Sequence, residues 1–531
     1  MVHREWTYVA FESGFDLELT LVALLFVWSV WMMHRRNYKS LISIAPLASI
    51  SLIPGFEIAL VVSSLVAVIL GLKMIAMRSY LRWTFLSLIG VECLALVNLL
   101  LFMPLGIDSL HFFSRIDLEV FYLFSFFGSF LGVSFAILSI TVPLLYLLGM
   151  FRGADEGSTP IVWAARSILL PFMLIIFICV YAGLYPNLTT VNPWNNAVGS
   201  DFYEYIVAAE RVDGDASMVF SVMSGSRPIL FILVLGLQRL IGTDSQTIIR
   251  FLPLILNPLV ALSSYFLSSE VLKDRSTSIW AALFTVGGIQ LTVGMFAYYL
   301  TNMLGLCLIS FSLGFLFRSL KKGRVLDLLT ACFTGGLVVF THPWTFDQYY
   351  VPILFASIFF VYDLIRKHSR DKSLYFAIVY ILSLSFSELA KSFALGGVSG
   401  VGALEAPVMG IISPSQFWYS LDLCFGLLYG GLMFNLLPFA FAILGVLLLR
   451  GKGLENRFLL FLLISSSTVF FFVDGTIKSR LLYNLPLGLF SALGFRYSLN
   501  LPYVRDLRGL FSSFVAGGLV LYLFRSLSSL V

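Results

Sequence analysis

Apolar runs of helical length follow one another along almost the whole chain, and that pattern leaves few folds open. They fall near 17–33, 41–54, 57–72, 84–104, 118–150, 165–184, 248–270, 277–294, 297–317, 325–341, 347–365, 373–392, 430–449, 456–473, 482–498 and 508–527. A helix needs about twenty apolar residues to cross the hydrocarbon core of a bilayer. The runs are apolar on every face, whereas the strands of a membrane barrel alternate. Backbone polar groups in lipid are then satisfied only inside helices. The expected fold is all-α: a polytopic helical membrane protein with roughly sixteen transmembrane helices. Composition agrees, since 59% of the 531 residues are hydrophobic and 12% are charged, against about 25% charged in soluble domains.

The net charge of +5 does not call for a nucleic-acid partner. Basic residues sit in short clusters between apolar runs, as at His34-Arg35-Arg36, Lys321-Lys322, Arg366-Lys367-His368 and Arg450-Gly451-Lys452. Such clusters mark cytoplasmic loops. The five cysteines lie in apolar runs without close pairs, so neither disulfides nor a metal motif is expected. No cleavable signal is expected, because the N-terminus is mixed in charge. Residues 1–150 read as an N-terminal bundle of about five spans. Residues 151–531 read as the core and hold nearly all the polar punctuation.

The longest polar interruption is the loop 185–227, with Asp201, Glu204, Glu210, Asp213 and Asp215. Counting spans from the basic loops puts it on the extracytoplasmic face. That count holds only if the short apolar segment Pro228–Ile241 does not cross; it is read as a half-penetrating or interfacial helix. The same parity brings other polar segments to that face. They are Tyr298-Tyr299-Leu300-Thr301-Asn302, Thr341 to Asp347, the glycine-rich stretch 395–414, and Asp474 to Arg480.

Each candidate has two readings. Asp201 with Glu204 is Asp-x-x-Glu, which fits a capping box or a pair of catalytic carboxylates. His342, before Pro343, is a structural hydrogen-bonding residue or binds a phosphate or hydroxyl. Arg480 and Lys478 run against the charge bias of an outer loop. They either snorkel to headgroups or clamp a lipid phosphate, for which arginine offers a planar fork. Asp347 either pairs with a neighbour or joins the site, with Tyr299 and Arg227 as further binding candidates.

The order of these segments resembles the GT-C superfamily of membrane glycosyltransferases, such as protein O-mannosyltransferases and aminoarabinose transferases, in an archaeal-type form. The resemblance is carried by the loop acid Asp201, then Arg227-Pro228-Ile229-Leu230, Gly242, Arg250-Phe251-Leu252-Pro253 and the later Thr-His-Pro-Trp-Thr segment, over about residues 165–500. It implies a GT-C-like core whose first outer loop carries short interfacial helices. Asp201 then matches the catalytic acid, and Arg480 matches a late arginine near the donor phosphate. Asn302 falls where many relatives carry a second acid, which leaves a divalent metal open as a cofactor, with Asp201 as its ligand.

The implied function is transfer of a hexosyl or pentosyl group from a polyprenyl-phosphate donor to an acceptor glycan, lipid or protein at the outer membrane face. The rivals are a transporter or flippase of a lipid-linked substrate, and an inactive subunit of a membrane complex. The topology makes its own prediction: a cysteine placed at position 201 is labelled by an impermeant maleimide from outside intact cells. Labelling only after permeabilisation would reverse the assigned orientation.

Overall fold

The computed structural model describes residues 165–195, 198–225, 227–366, 372–394, 437–449, 453–470, 473, 475–500 and 508–528, with Leu96 and Leu100. The expected N-terminal bundle, the glycine-rich stretch 395–414 and Asp474 lie outside the described residues. Among the described residues every regular element is helical. Five helical segments are long and apolar enough to cross a membrane, as in a helical membrane protein.

In chain order the helices are α1 (Ala165–Leu184), α2 (Phe202–Gly214), α3 (Pro228–Ile241), α4 (Ser245–Phe251), α5 (Pro253–Leu272), α6 (Arg275–Val286), α7 (Ile289–Phe296) and α8 (Leu300–Lys322). They continue as α9 (Val325–Val339), α10 (Pro343–Arg366), α11 (Lys372–Ala394), α12 (Leu437–Leu447), α13 (Leu454–Phe470), α14 (Gly475–Tyr483), α15 (Leu487–Leu499) and α16 (Arg508–Ser528).

Local chemistry sets many boundaries. Pro228 and Pro253 open α3 and α5, where a missing N–H costs nothing. Asp244 and Asp274 accept backbone N–H groups at the starts of α4 and α6. Gly242, at φ +76°, closes α3 in the left-handed conformation that glycine tolerates. Two expected runs are each broken in two. The run 248–270 breaks at Leu252 into α4 and α5, and 277–294 breaks at Gly287-Gly288 into α6 and α7, while 482–498 is preceded by the separate short helix α14.

The packing separates two ends. At one end the charged loops pair: Arg318 with Asp327 at 2.6 Å, Lys321 with Glu455 at 3.9 Å, Arg496 with Asp274 at 3.5 Å, and Arg457 with Asp363. These are the basic loops that the sequence groups together. At the other end the chain returns to where it left the bundle. Gly183, near the end of α1, lies against the start of α5, and a methyl group there would be 2.9 Å from Leu254 N. The whole segment 185–252 therefore makes no net crossing.

Helices α12 and α15 cross backbone to backbone. A methyl group on Gly445 would lie 1.8 Å from Phe490 O, and one on Gly494 would lie 2.0 Å from Phe441 O. Gly494→Ala is therefore expected to lower stability by about 1–3 kcal/mol through overpacking. Gly236→Ala, in α3 with open space around it, should be neutral or stabilise by up to about 1 kcal/mol. Thermal unfolding of both variants in detergent checks the difference.

Candidate functional site

Asp201 is held at the end of the bundle opposite the paired charges. The preceding Ser200 donates its backbone N–H to Phe296 O at 3.1 Å, and its hydroxyl shares one proton between Ala297 O at 3.0 Å and the Asp201 carboxylate. Gly199 makes this contact possible. Its φ is +100°, and a methyl group there would lie 2.6 Å from the Tyr298 ring. Tyr298 itself sits at φ +57° and donates its hydroxyl to Ile249 O at 2.7 Å. A left-handed tyrosine costs about 1–2 kcal/mol, so this corner is strained and must be held by its contacts.

The capping reading of Asp201 fails. Asp201 occupies the N-cap position of α2 but makes no side-chain cap bond. Its φ and ψ of −91° and 6° differ from the extended geometry of a capping residue. The carboxylate instead accepts the Ser200 hydroxyl at 2.9 Å. Arg480 and Arg227 both lie within its electrostatic reach. Burial raises the Asp201 pKa above its ordinary value; the Ser200 hydrogen bond opposes this, Glu204 adds to it, and the two arginines oppose it.

Arg227 donates to Tyr205 Oη at 3.3 Å, and Tyr205 Oη shares a 2.9 Å hydrogen bond with Thr301 Oγ1. This chain ties α2 to the first turn of α8. Ile229, two residues after Arg227, donates its N–H to Phe340 O at 3.3 Å. That bond brings Arg227 beside the turn that carries His342. Arg480 stacks over Tyr299, its guanidinium 5.8 Å from the ring centroid. Tyr299 Oη lies 3.2 Å from Ser479 Oγ.

Two glutamines fix α14, and with it Arg480. Gln290 donates to Leu485 O at 2.8 Å and Tyr483 O at 3.2 Å. Gln348 donates to Leu481 O at 2.8 Å and accepts from Asn484 Nδ2 at 3.0 Å. The carbonyls that the break between α14 and α15 leaves over are thus satisfied by amides from α7 and α10.

His342 is fully buried. Its Nδ1 accepts the Thr345 N–H at 3.2 Å, which is the structural one of its two readings and leaves Nε2 for the other. Arg227 and Arg480 are within its electrostatic reach, and burial, ahead of those charges and Lys391, holds its pKa well below the usual imidazole value. Three buried N–H donors at this end have no partner among the described residues: His342 Nε2, Asn302 Nδ2 and Arg480 Nε; a fourth, Arg318 Nε, lies at the end where the charges pair.

Of the other candidates, Lys478 and Asp347 are held by other partners, while Glu204 borders the cluster. Lys478 is buried, with its amine donating to Val473 O at 2.6 Å and lying over Phe470. Asp347 lies near Lys391 and Glu388, and Lys391 donates to Val339 O at 2.6 Å. Glu204 is exposed on α2 and borders a groove of about 410 Å³ with Tyr203, Arg211 and Met223. That groove adjoins the cluster, because Met223 Sδ also meets Arg227 at 3.8 Å.

Among the described residues no three of His, Cys, Asp and Glu are grouped so as to hold a metal ion. Two guanidiniums beside a single buried carboxylate suit an oxyanion better than a cation, so the divalent metal left open by the resemblance does not fit these residues. Compared with models of known protein families and with curated proteins, the sequence matches none.

Since the folded state binds the Asp201 proton more tightly than the unfolded chain, this group's contribution to stability falls as pH rises from the ordinary aspartate range through the folded pKa. Asp201→Asn removes that cost. The variant should unfold at an equal or higher temperature at about pH 7, and lose less of its Tm than wild type between about pH 4 and 7. A Tm lower than wild type at neutral pH would mean that the carboxylate is a structural group.

Proposed function

We propose that the protein is a membrane glycosyltransferase that moves a sugar from a polyprenyl-phosphate donor to an acceptor hydroxyl at the extracytoplasmic face. The observation that carries this reading is the grouping of Asp201 and Arg227, from one loop, with Arg480 from a distant part of the chain. Asp201 accepts the proton of the acceptor hydroxyl as that oxygen attacks the anomeric carbon. A pKa raised by burial makes the carboxylate a stronger base for this step. The bond from the anomeric carbon to the phosphate oxygen breaks, and the polyprenyl phosphate leaves with the electron pair. Arg480, with Arg227, meets the charge that develops on it. Arginine suits the task because its donors match two phosphate oxygens at once. A lipid tail that stays in the bilayer accounts for a site at one end of an apolar bundle.

Transport of a lipid-linked substrate is the second reading, favoured by the group Asp347, Glu388 and Lys391 on the apolar helices α10 and α11. Ionisable side chains within spans are typical of transport pathways. Flux across proteoliposomes without sugar transfer would decide for it.

Asp201→Asn should abolish transfer with expression and folding intact, and Arg480→Gln should cost at least ~10²-fold in kcat, as for loss of an oxyanion donor. Wild-type turnover by Asp201→Asn, measured as radiolabelled sugar released from polyprenyl phosphate, would remove the catalytic assignment.

A further inference from the structure

His342 and Asn302 each bury a donor that meets no acceptor among the described residues. The side chains are closed off from solvent, at 0% and 2% exposure. They share one flank of α8. Asn302 lies in its first turn, three residues before Gly305, and a methyl group on Gly305 would sit 3.4 Å from His342 Cβ. Residues three apart share a helix face.

Local structure fixes the imidazole proton. Nδ1 meets two groups of Thr345 that can donate to it, the backbone N–H at 3.2 Å and the hydroxyl at 3.0 Å, and as their acceptor it leaves the neutral ring's proton on Nε2. Burial, with the cations nearby, keeps the ring neutral. His342 Nε2–H and Asn302 Nδ2–H are thus two uncharged donors beside two guanidiniums. A phosphate is served by the arginines, so two neutral donors are better matched to an uncharged oxygen. Leaving them unpaired carries a desolvation penalty that a ligand oxygen relieves. Sites built to hydrogen-bond a substrate hydroxyl strongly reject analogues that lack it.

We propose that His342 and Asn302 determine specificity by holding a hydroxyl oxygen of the sugar carried on the lipid phosphate. This rests on the donor reading given above. Neither residue moves a proton. His342 has a second duty, since its Nδ1 also caps the start of α10.

The two duties separate by substitution. His342→Asn keeps an acceptor near the Nδ1 position but not the reach of Nε2, whereas His342→Gln keeps an N–H near Nε2 and loses the cap. The full-length protein in nanodiscs is titrated with decaprenyl phosphate and with its glucose, galactose and mannose esters. With only five histidines in the chain, selective ¹⁵N-histidine labelling makes the Nε2–H signal assignable by comparison with the variants. The proposal predicts that at least one hexose ester moves the His342 Nε2–H resonance and binds about tenfold or more tighter than bare decaprenyl phosphate. His342→Asn and Asn302→Ala should erase that preference, His342→Asn with Tm near wild type. His342→Gln should keep the preference with a lowered Tm. Equal binding of bare phosphate and all three esters overturns the proposal and leaves the donor reading standing. A preference that follows Tm across the variants also overturns it, as a structural effect. No binding of decaprenyl phosphate or its esters overturns the donor reading itself, and this proposal with it.

Discussion

A buried N–H without an acceptor costs about 1–3 kcal/mol, and an apolar bundle offers few chances to recover that cost. The polar groups at the site end of this molecule are sorted accordingly. Where the helices break, amides supply what the backbone lacks: Gln290 and Gln348 donate to the carbonyls around the α14–α15 junction. Tyr205 links Arg227 to Thr301. Beside these paired groups, the side-chain N–H donors of His342, Asn302 and Arg480 meet no acceptor among the described residues. They lie around the first turns of α8, and Arg480 is within electrostatic reach of Asp201.

The scaffold serves to hold that arrangement. Gly199 lets Ser200 and Asp201 lie against the α7–α8 turn, which the left-handed Tyr298 shapes. The return of the chain from Leu184 to Pro253 without a net crossing keeps the loop at one end. Paired charges gather at the opposite end. Asp201 thus sits where the chain is polar enough to ionise a carboxylate and apolar enough to raise its pKa.

Much of this was legible in the apolar runs. Among the described residues the runs from 165 on fall on helices, two of them on split pairs, and counting basic loops grouped the segments carrying Asp201, Asn302, His342 and Arg480. Three things were not legible. Asp-x-x-Glu reads as a capping box because spacing alone cannot reveal that Ser200 turns the carboxylate away from the helix N–H groups. Lys478 and Arg480 look like a joint clamp only while 474–480 is read as a loop. On the helix α14, residues two apart point about 200° from each other, and Lys478 accordingly turns to Val473. Gln290 and Gln348 passed as incidental polar residues in apolar runs. Their signal was the cost of an amide in such a place, which implies a carbonyl in need of a donor.

The central claim is that residues 201 and 480, nearly three hundred positions apart, face one site. Cysteines at both positions, in a background without accessible native thiols, test it most directly with a short bifunctional methanethiosulfonate. Efficient intramolecular cross-linking in the membrane, blocked by prior binding of polyprenyl phosphate, is the expected result. Separate labelling of both cysteines with no cross-link at any reagent length up to about one helical turn would contradict it.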